Sequence, residues 1–93
     1  MQVFLNDKFI PAEEAGINIY DLGVVLGATV TEMVRTFHHR LYRLEDHVRR
    51  IMRSVRYVRF DLDMTAEYLE GVCHELVERN AKELGQDGEL GLV

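Results

Sequence analysis

The sequence lacks the features that distinguish secreted and membrane proteins. Its 93 residues contain one cysteine, Cys73, so no internal disulfide can form, which is typical of a reducing compartment. No apolar run approaches the ~20 residues that cross a bilayer. The first residues, MQVFLNDKFIP, lack the basic and apolar segments of a secretory signal. We therefore expect a cytoplasmic protein with no membrane partner.

Proline occurs once, and the composition is otherwise that of one small globular domain covering residues 1–93. Hydrophobic residues make up 47% of the chain, which is too many for a disordered protein. Residues 1–60 carry nine Lys and Arg against seven Asp and Glu, whereas residues 61–93 carry two against nine. This asymmetry can indicate a polyanion-binding half. At this size we favour two helices of opposite charge that face each other within one fold.

Five extended segments are predicted, two of which form one hairpin. The alternating stretch VFLNDKFI reads as a hairpin that turns at Asn6 and Asp7, residues that tolerate positive φ angles. PAEEAGI reads as a loop, since Pro11 cannot donate to a strand ladder. INIY is a short extended piece, HHRLYRL is a short strand with Leu41 turned inward, and GELGLV begins a last strand.

Three helices are predicted between these segments, each from apolar residues at helical spacing. The first lies in DLGVVLGATVTEMVRTF, the second covers LEDHVRRIMRSVRYVRF, and the third runs from about Met64 to Leu84 with Asp63 as its N-cap. The resulting order, ββ-α-β-α-α-β, predicts an α+β domain. Its helices lie on one side of a mostly antiparallel sheet.

Five arginines lie within residues 49–59, although the net charge of the chain is -5. They could form a solvated helix face paired with carboxylates such as Glu45 and Asp46. They could neutralise nucleic-acid phosphates, although the net charge and the absence of lysine on this helix argue against that. A single arginine could instead hold one phosphate through two parallel hydrogen bonds. From the residues alone, the solvated face is favoured.

Other chemically capable residues give weaker signals. Cys73 falls on the apolar side of the third helix, so we interpret it as a small core residue rather than a nucleophile. The four histidines lack the spacing of a metal site, and no metal site is predicted: His38, His39, His47 and His74. The residues by themselves therefore indicate only a small soluble α+β domain.

Four motifs occur in order along the chain. They are LN-x-x-F-I-P in the hairpin, D-x-G-x-x-x-G at the entry to the first helix, E-x-x-R-T-F at its predicted end, and R-L-x-x-H-x-x-R in the second helix. In order and spacing the chain resembles the N-terminal domain of the class IV, or fold-type IV, aminotransferases. That family includes branched-chain and D-amino-acid aminotransferases and aminodeoxychorismate lyase, which depend on pyridoxal 5'-phosphate.

The resemblance implies a specific role for one arginine. The last residue of R-L-x-x-H-x-x-R is Arg50, and in the family this arginine binds the phosphate of the cofactor. His47, one turn earlier, would brace Arg50 or simply lie on the helix surface. Thr31 stands where several members carry an aromatic residue of the substrate pocket. Because threonine is smaller and polar, neither a branched-chain nor a D-amino-acid preference can be transferred to this chain.

The resemblance also implies what residues 1–93 do not supply. In the family, the lysine that bonds to the cofactor belongs to a C-terminal domain, and neither Lys8 nor Lys82 matches a catalytic position. We expect no catalytic residue in this chain, which alone would be inactive. The parent would be a homodimer that transfers an amino group between an amino acid and a 2-oxo acid. A lyase-like enzyme and a non-catalytic scaffold domain with the same fold are the alternatives.

Overall fold

The N-terminal hairpin forms as predicted. In the computed structural model, which describes residues 1–93, strand β1 (Gln2–Leu5) pairs antiparallel with β2 (Lys8–Pro11). The φ angles of Asn6 and Asp7 are 50° and 64°, as a two-residue hairpin turn requires. Pro11 ends β2 opposite Gln2 rather than lying in the loop. A proline fits there because both strands of this two-stranded sheet are edges.

A second antiparallel sheet has β3 (Val34–Phe37) at its centre. Strand β4 (Arg40–Leu41) pairs with one edge of β3, and β5 (Gly91–Leu92) pairs with the other. A turn at His38 and His39, with φ angles of 52° and 62°, joins β3 to β4. The predicted final strand is therefore confirmed, and it lies beside a strand more than fifty residues earlier in the chain.

The first predicted helix is largely wrong. Helix α1 covers only Leu22–Val25, where the Asp21 carboxylate accepts a hydrogen bond of 2.8 Å from the Gly23 N–H. Gly27, at a φ of +69°, lies just after it. The residues assigned to the end of that helix instead form β3, with Val34 and Thr36 buried and Arg35 and Phe37 exposed. This alternation has a period of two, and apolar spacing alone did not distinguish it from a helix.

One smaller expectation also fails in this region. INIY forms no strand, because the Asn18 side chain accepts a hydrogen bond of 2.8 Å from the Tyr20 N–H and bends the chain. Leu44 is the first residue of the second helix, as predicted, and lies outside the strand that precedes it.

Helices α2 (Leu44–Tyr57) and α3 (Ala66–Leu84) lie at the predicted positions. The N-cap of α3 is Thr65, whose Oγ1 accepts a hydrogen bond of 3.1 Å from the Tyr68 N–H. The prediction of Asp63 as the N-cap was wrong because the helix begins at Ala66 and not at about Met64. The capping oxygen comes from the residue directly before the first helical residue. No helix in residues 1–93 has both the length and the apolar character that a membrane span requires.

The core lies where α2 and α3 cover β3. Val34, Leu44 and Val48 form its buried cluster, and Met52, Leu69 and Cys73 are among the partly buried residues packed on it. The α+β fold class is therefore confirmed. Many large apolar side chains nevertheless remain exposed. A contiguous set lies along residues 17–26: Ile17, Ile19, Tyr20, Leu22, Val24, Val25 and Leu26.

Thr36 is the most completely buried side chain, with an exposed fraction of 0%. Its hydroxyl donates to the Glu89 carboxylate at 3.1 Å and accepts from the Leu90 N–H at 2.9 Å. The same carboxylate accepts from the N–H groups of His39 at 2.9 Å and His38 at 2.7 Å. The His39 N–H is the main cause of a lowered pKa for Glu89. These hydrogen bonds hold the segment before β5 against the β3–β4 turn.

We expect Thr36→Val to lower the free energy of unfolding by about 1–3 kcal/mol, because it leaves the Leu90 N–H without its acceptor at a buried position. Urea unfolding followed by circular dichroism measures this. The control is Thr29→Val, at an exposed threonine whose side chain makes no hydrogen bond. Equal effects of the two substitutions would contradict a structural role for the Thr36 hydroxyl.

Candidate functional site

Arg50 forms an ion pair with a carboxylate from another part of the fold. Glu32 lies in the connection between α1 and β3, and Arg50 lies on the polar side of α2. The Arg50 Nε donates to Oε2 of Glu32 and Nη2 donates to Oε1, both at 2.5 Å. The exposed fraction of the Glu32 side chain is 14%, whereas that of Arg50 is 58%. The carboxylate is therefore held inside, and the guanidinium extends outward from it.

The ion pair uses only one edge of the guanidinium. A guanidinium has five N–H donors in one plane, and the pair formed by Nε and Nη2 is the side edge. The end edge, formed by Nη1 and the second N–H of Nη2, makes no hydrogen bond within residues 1–93. That edge has the spacing that suits two oxygens of a phosphate or carboxylate. The site can therefore bind an anion without breaking the Glu32–Arg50 contact.

His47 and a backbone amide complete the set of groups around Glu32. His47 lies one turn before Arg50 on α2, and its Nδ1 is 3.1 Å from Oε1 of Glu32. The Met33 N–H donates to the same oxygen at 3.2 Å. His47 thus contacts Glu32, and through it supports Arg50, rather than bracing Arg50 directly.

The electrostatics follow from these contacts. The Arg50 hydrogen bonds lower the pKa of Glu32 from 4.5 to about 2, against the opposing effect of burial, and the contacts of His47 and Met33 lower it further. The Glu32 hydrogen bonds also raise the pKa of Arg50. Both groups are therefore charged at neutral pH.

An apolar cavity of about 210 Å³ lies behind Glu32 and His47, lined by Val34 of β3, Val48 of α2 and Cys73 of α3, among others. Burial raises the pKa of the Cys73 thiol, with the Glu70 charge adding to the effect. Cys73 therefore remains a thiol that packs against the core, in line with its interpretation as a core residue.

The other arginines of α2 behave as a solvated face. Arg49 pairs within its own helix with Asp46, 3.4 Å away, and Arg43 pairs with the same carboxylate at 2.8 Å. Arg53 and Arg56 of α2 form no ion pair, and neither does Arg59 just after the helix. Helices α2 and α3, of opposite net charge, pack against each other as expected. No arginine of α2 forms an ion pair with an acidic residue of α3.

The remaining candidates are dispersed. Thr31 is exposed and directly precedes Glu32, which places it beside the site. The histidines do not converge, and residues 1–93 contain no group of three metal-ligating side chains. Glu32 is the residue that sequence reasoning missed. It is the first residue of the quoted E-x-x-R-T-F motif, but eighteen positions separate it from Arg50, and no local period connects them.

The family model described as amino-transferase class IV matches residues 29–92. The D-alanine aminotransferase of Staphylococcus aureus strain N315 is 31% identical over 84 residues, which is 90% of this chain and 30% of that protein. The D-alanine aminotransferase of Staphylococcus haemolyticus is 34% identical over 79 residues, or 85% of this chain and 28% of that protein.

A solved structure agrees with these matches. The branched-chain aminotransferase of the archaeon Thermoproteus uzoniensis, determined with norvaline, superposes with a TM-score of 0.77 at 26% identity. The superposition covers 98% of this chain and 31% of that one. The chain therefore belongs to the class IV aminotransferase family, as its motifs predicted, and it spans less than a third of the length of these relatives.

The lowered pKa of Glu32 predicts how its contribution to stability depends on pH. Because the folded pKa of about 2 lies below the ordinary value of 4.5, the contribution is complete above pH 4.5. It is lost as the pH falls from 4.5 towards 2. The difference in unfolding free energy between the unmodified chain and Glu32→Gln should therefore be smaller at pH 3 than at pH 7.

Urea titrations at the two pH values measure this difference. In the matched control, both proteins also carry Arg50→Gln. The difference in unfolding free energy caused by Glu32→Gln should then depend much less on pH. A difference that is the same at pH 3 and pH 7 in the unmodified background would contradict the ion pair.

Proposed function

We propose that this chain is the N-terminal part of a pyridoxal 5'-phosphate-dependent aminotransferase, and that Arg50 binds the phosphate of the cofactor. The observation that carries the proposal is the free end edge of the Arg50 guanidinium beside its Glu32-bound edge. Membership of the class IV family supports the activity.

The residues present fit a phosphate group. A phosphate dianion needs strong N–H donors with a positive charge, and the Arg50 end edge offers two parallel ones. Arg53 lies one turn after Arg50 on α2 and forms no ion pair, so it adds positive potential. When bound, the cofactor supplies a ring that withdraws electrons from the α-carbon of an amino acid. The part of this chain is to bind and orient the phosphate.

The substrates that we propose are an amino acid and a 2-oxo acid. Relatives are named for both D-alanine and branched-chain substrates, so membership of the family does not select one amino acid. We assign Thr31 to the substrate side of the site because it is exposed next to Glu32.

The nucleophilic lysine is proposed to lie in a C-terminal domain outside residues 1–93. Lys8 begins β2 and Lys82 lies in the last turns of α3, and neither lines the cavity behind Glu32. The relatives are about three times as long as the aligned segment, which leaves room for such a domain. A cytoplasmic homodimer completes the proposal. The exposed apolar residues along 17–26 are typical of a surface that another domain or subunit covers.

The complete gene product carrying Arg50→Lys should bind pyridoxal phosphate about tenfold more weakly or worse, because a lysine offers a point charge and no two-pronged donor. The matched control is Arg53→Lys on the same helix, which should leave the affinity within about twofold. Fluorescence titration of the apoprotein measures both. An unchanged affinity in Arg50→Lys would contradict the assigned role of Arg50.

A second prediction concerns residues 1–93 alone. After incubation with pyridoxal phosphate and treatment with borohydride, neither Lys8 nor Lys82 should carry the cofactor, because neither lies at the proposed site. Peptide mass spectrometry of the treated chain measures the labelling. Selective and stoichiometric modification of either lysine would contradict the proposal that the reactive lysine comes from elsewhere.

A further inference from the structure

Glu32 poses an electrostatic problem for the proposed function. It places a negative charge directly on the arginine that is proposed to attract an anion. If charge alone set the affinity, Glu32 would weaken phosphate binding, since like charges repel. If attraction of the anion were the only requirement, Arg50 would be expected to have no carboxylate partner. Arg53 and Arg56, on the same helix, have none.

The geometry suggests what Glu32 contributes instead. An arginine with an exposed side chain samples many rotamers, and immobilising it on binding costs free energy. Glu32 holds both Nε and Nη2 of Arg50, which fixes the plane of the guanidinium and the direction of its end edge. Glu32 is itself fixed by the Met33 N–H and by Nδ1 of His47. All of these contacts are made by side chains and backbone of the chain itself, so the protein orients the guanidinium.

We infer that Glu32 is a positioning residue, which aims the free edge of Arg50 at the phosphate of the cofactor and thereby strengthens binding despite its negative charge. This inference rests on the proposed function of Arg50. It adds that the site depends on a carboxylate that touches neither cofactor nor substrate, and that His47 acts on the same carboxylate from its other side.

The two effects of Glu32 predict opposite results for one substitution. Glu32→Gln removes the charge and replaces one acceptor oxygen by an amide nitrogen, which cannot accept from Nε. If orientation dominates, the affinity of the complete gene product for pyridoxal phosphate should fall by between about twofold and about tenfold, the range for one immobilised side chain. If charge dominates, the affinity should rise, and a rise would overturn the inference.

Glu32→Asp provides an independent variant. It keeps the charge but shortens the side chain by one methylene, so the carboxylate can no longer reach both nitrogens of Arg50. If orientation dominates, Glu32→Asp should also weaken the binding of pyridoxal phosphate. If charge dominates, the affinity should not change, because the negative charge is kept. An unchanged affinity would count against the inference. Circular dichroism confirms that each variant is folded. Adding Arg50→Lys should abolish the effect of Glu32→Gln, because a lysine has no plane to orient.

A nuclear magnetic resonance measurement separates this inference from the function on which it rests. The Nε–H signal of Arg50, assigned by its loss in Arg50→Lys, should be sharp without ligand and should broaden in Glu32→Gln, because exchange with water becomes faster. Equal signals in both proteins would overturn the positioning role. An affinity unaffected by Arg50→Lys would instead overturn the proposed function, while the Nε–H signal would still report whether Glu32 holds the guanidinium.

Discussion

The ion pair between Glu32 and Arg50 is the contact on which the site depends. It connects the loop before the central strand β3 to the helix α2, which also contacts Glu32 through His47. Because Glu32 is mostly buried and Arg50 is mostly exposed, the pair has an inner and an outer end. The inner end is fixed by Met33 and His47, and the outer end presents unused donors. One interaction therefore serves both the fold and the proposed binding of an anion.

The rest of the domain supplies the fixed points for this pair. The core cluster of Val34, Leu44 and Val48 holds β3 and the first turns of α2 together, so Glu32 and Arg50 stand on elements that pack on one another. The buried Thr36 hydroxyl and the Glu89 carboxylate then attach the segment before β5 to the opposite end of β3. A run of exposed apolar side chains lies along residues 17–26, which is typical of a surface that a partner covers.

Sequence patterns predicted the elements that depend on neighbouring residues, namely the N-terminal hairpin and helix α2. The hairpin follows from Asn6 and Asp7 in left-handed conformations, and the limits of α2 follow from its apolar spacing. The prediction of the first helix was wrong. Its apolar residues fitted a period of 3.6, but residues 34–37 form strand β3 instead. Strand β5, from far along the chain, pairs with β3, and local spacing does not report such a contact. Arg50 was located by resemblance to the family and not by periodicity. Glu32 could not be paired with it, because contacts across eighteen residues arise from tertiary packing.

The central claim is that Arg50 holds the phosphate of the cofactor through its end edge while Glu32 keeps the side edge. A crystal structure of the complete gene product with pyridoxal phosphate tests this most directly. The account predicts a phosphate oxygen within hydrogen-bond distance of Nη1 of Arg50, with both Glu32 contacts retained. A structure in which other groups hold the phosphate, and Arg50 remains paired only with Glu32 at the surface, would contradict it.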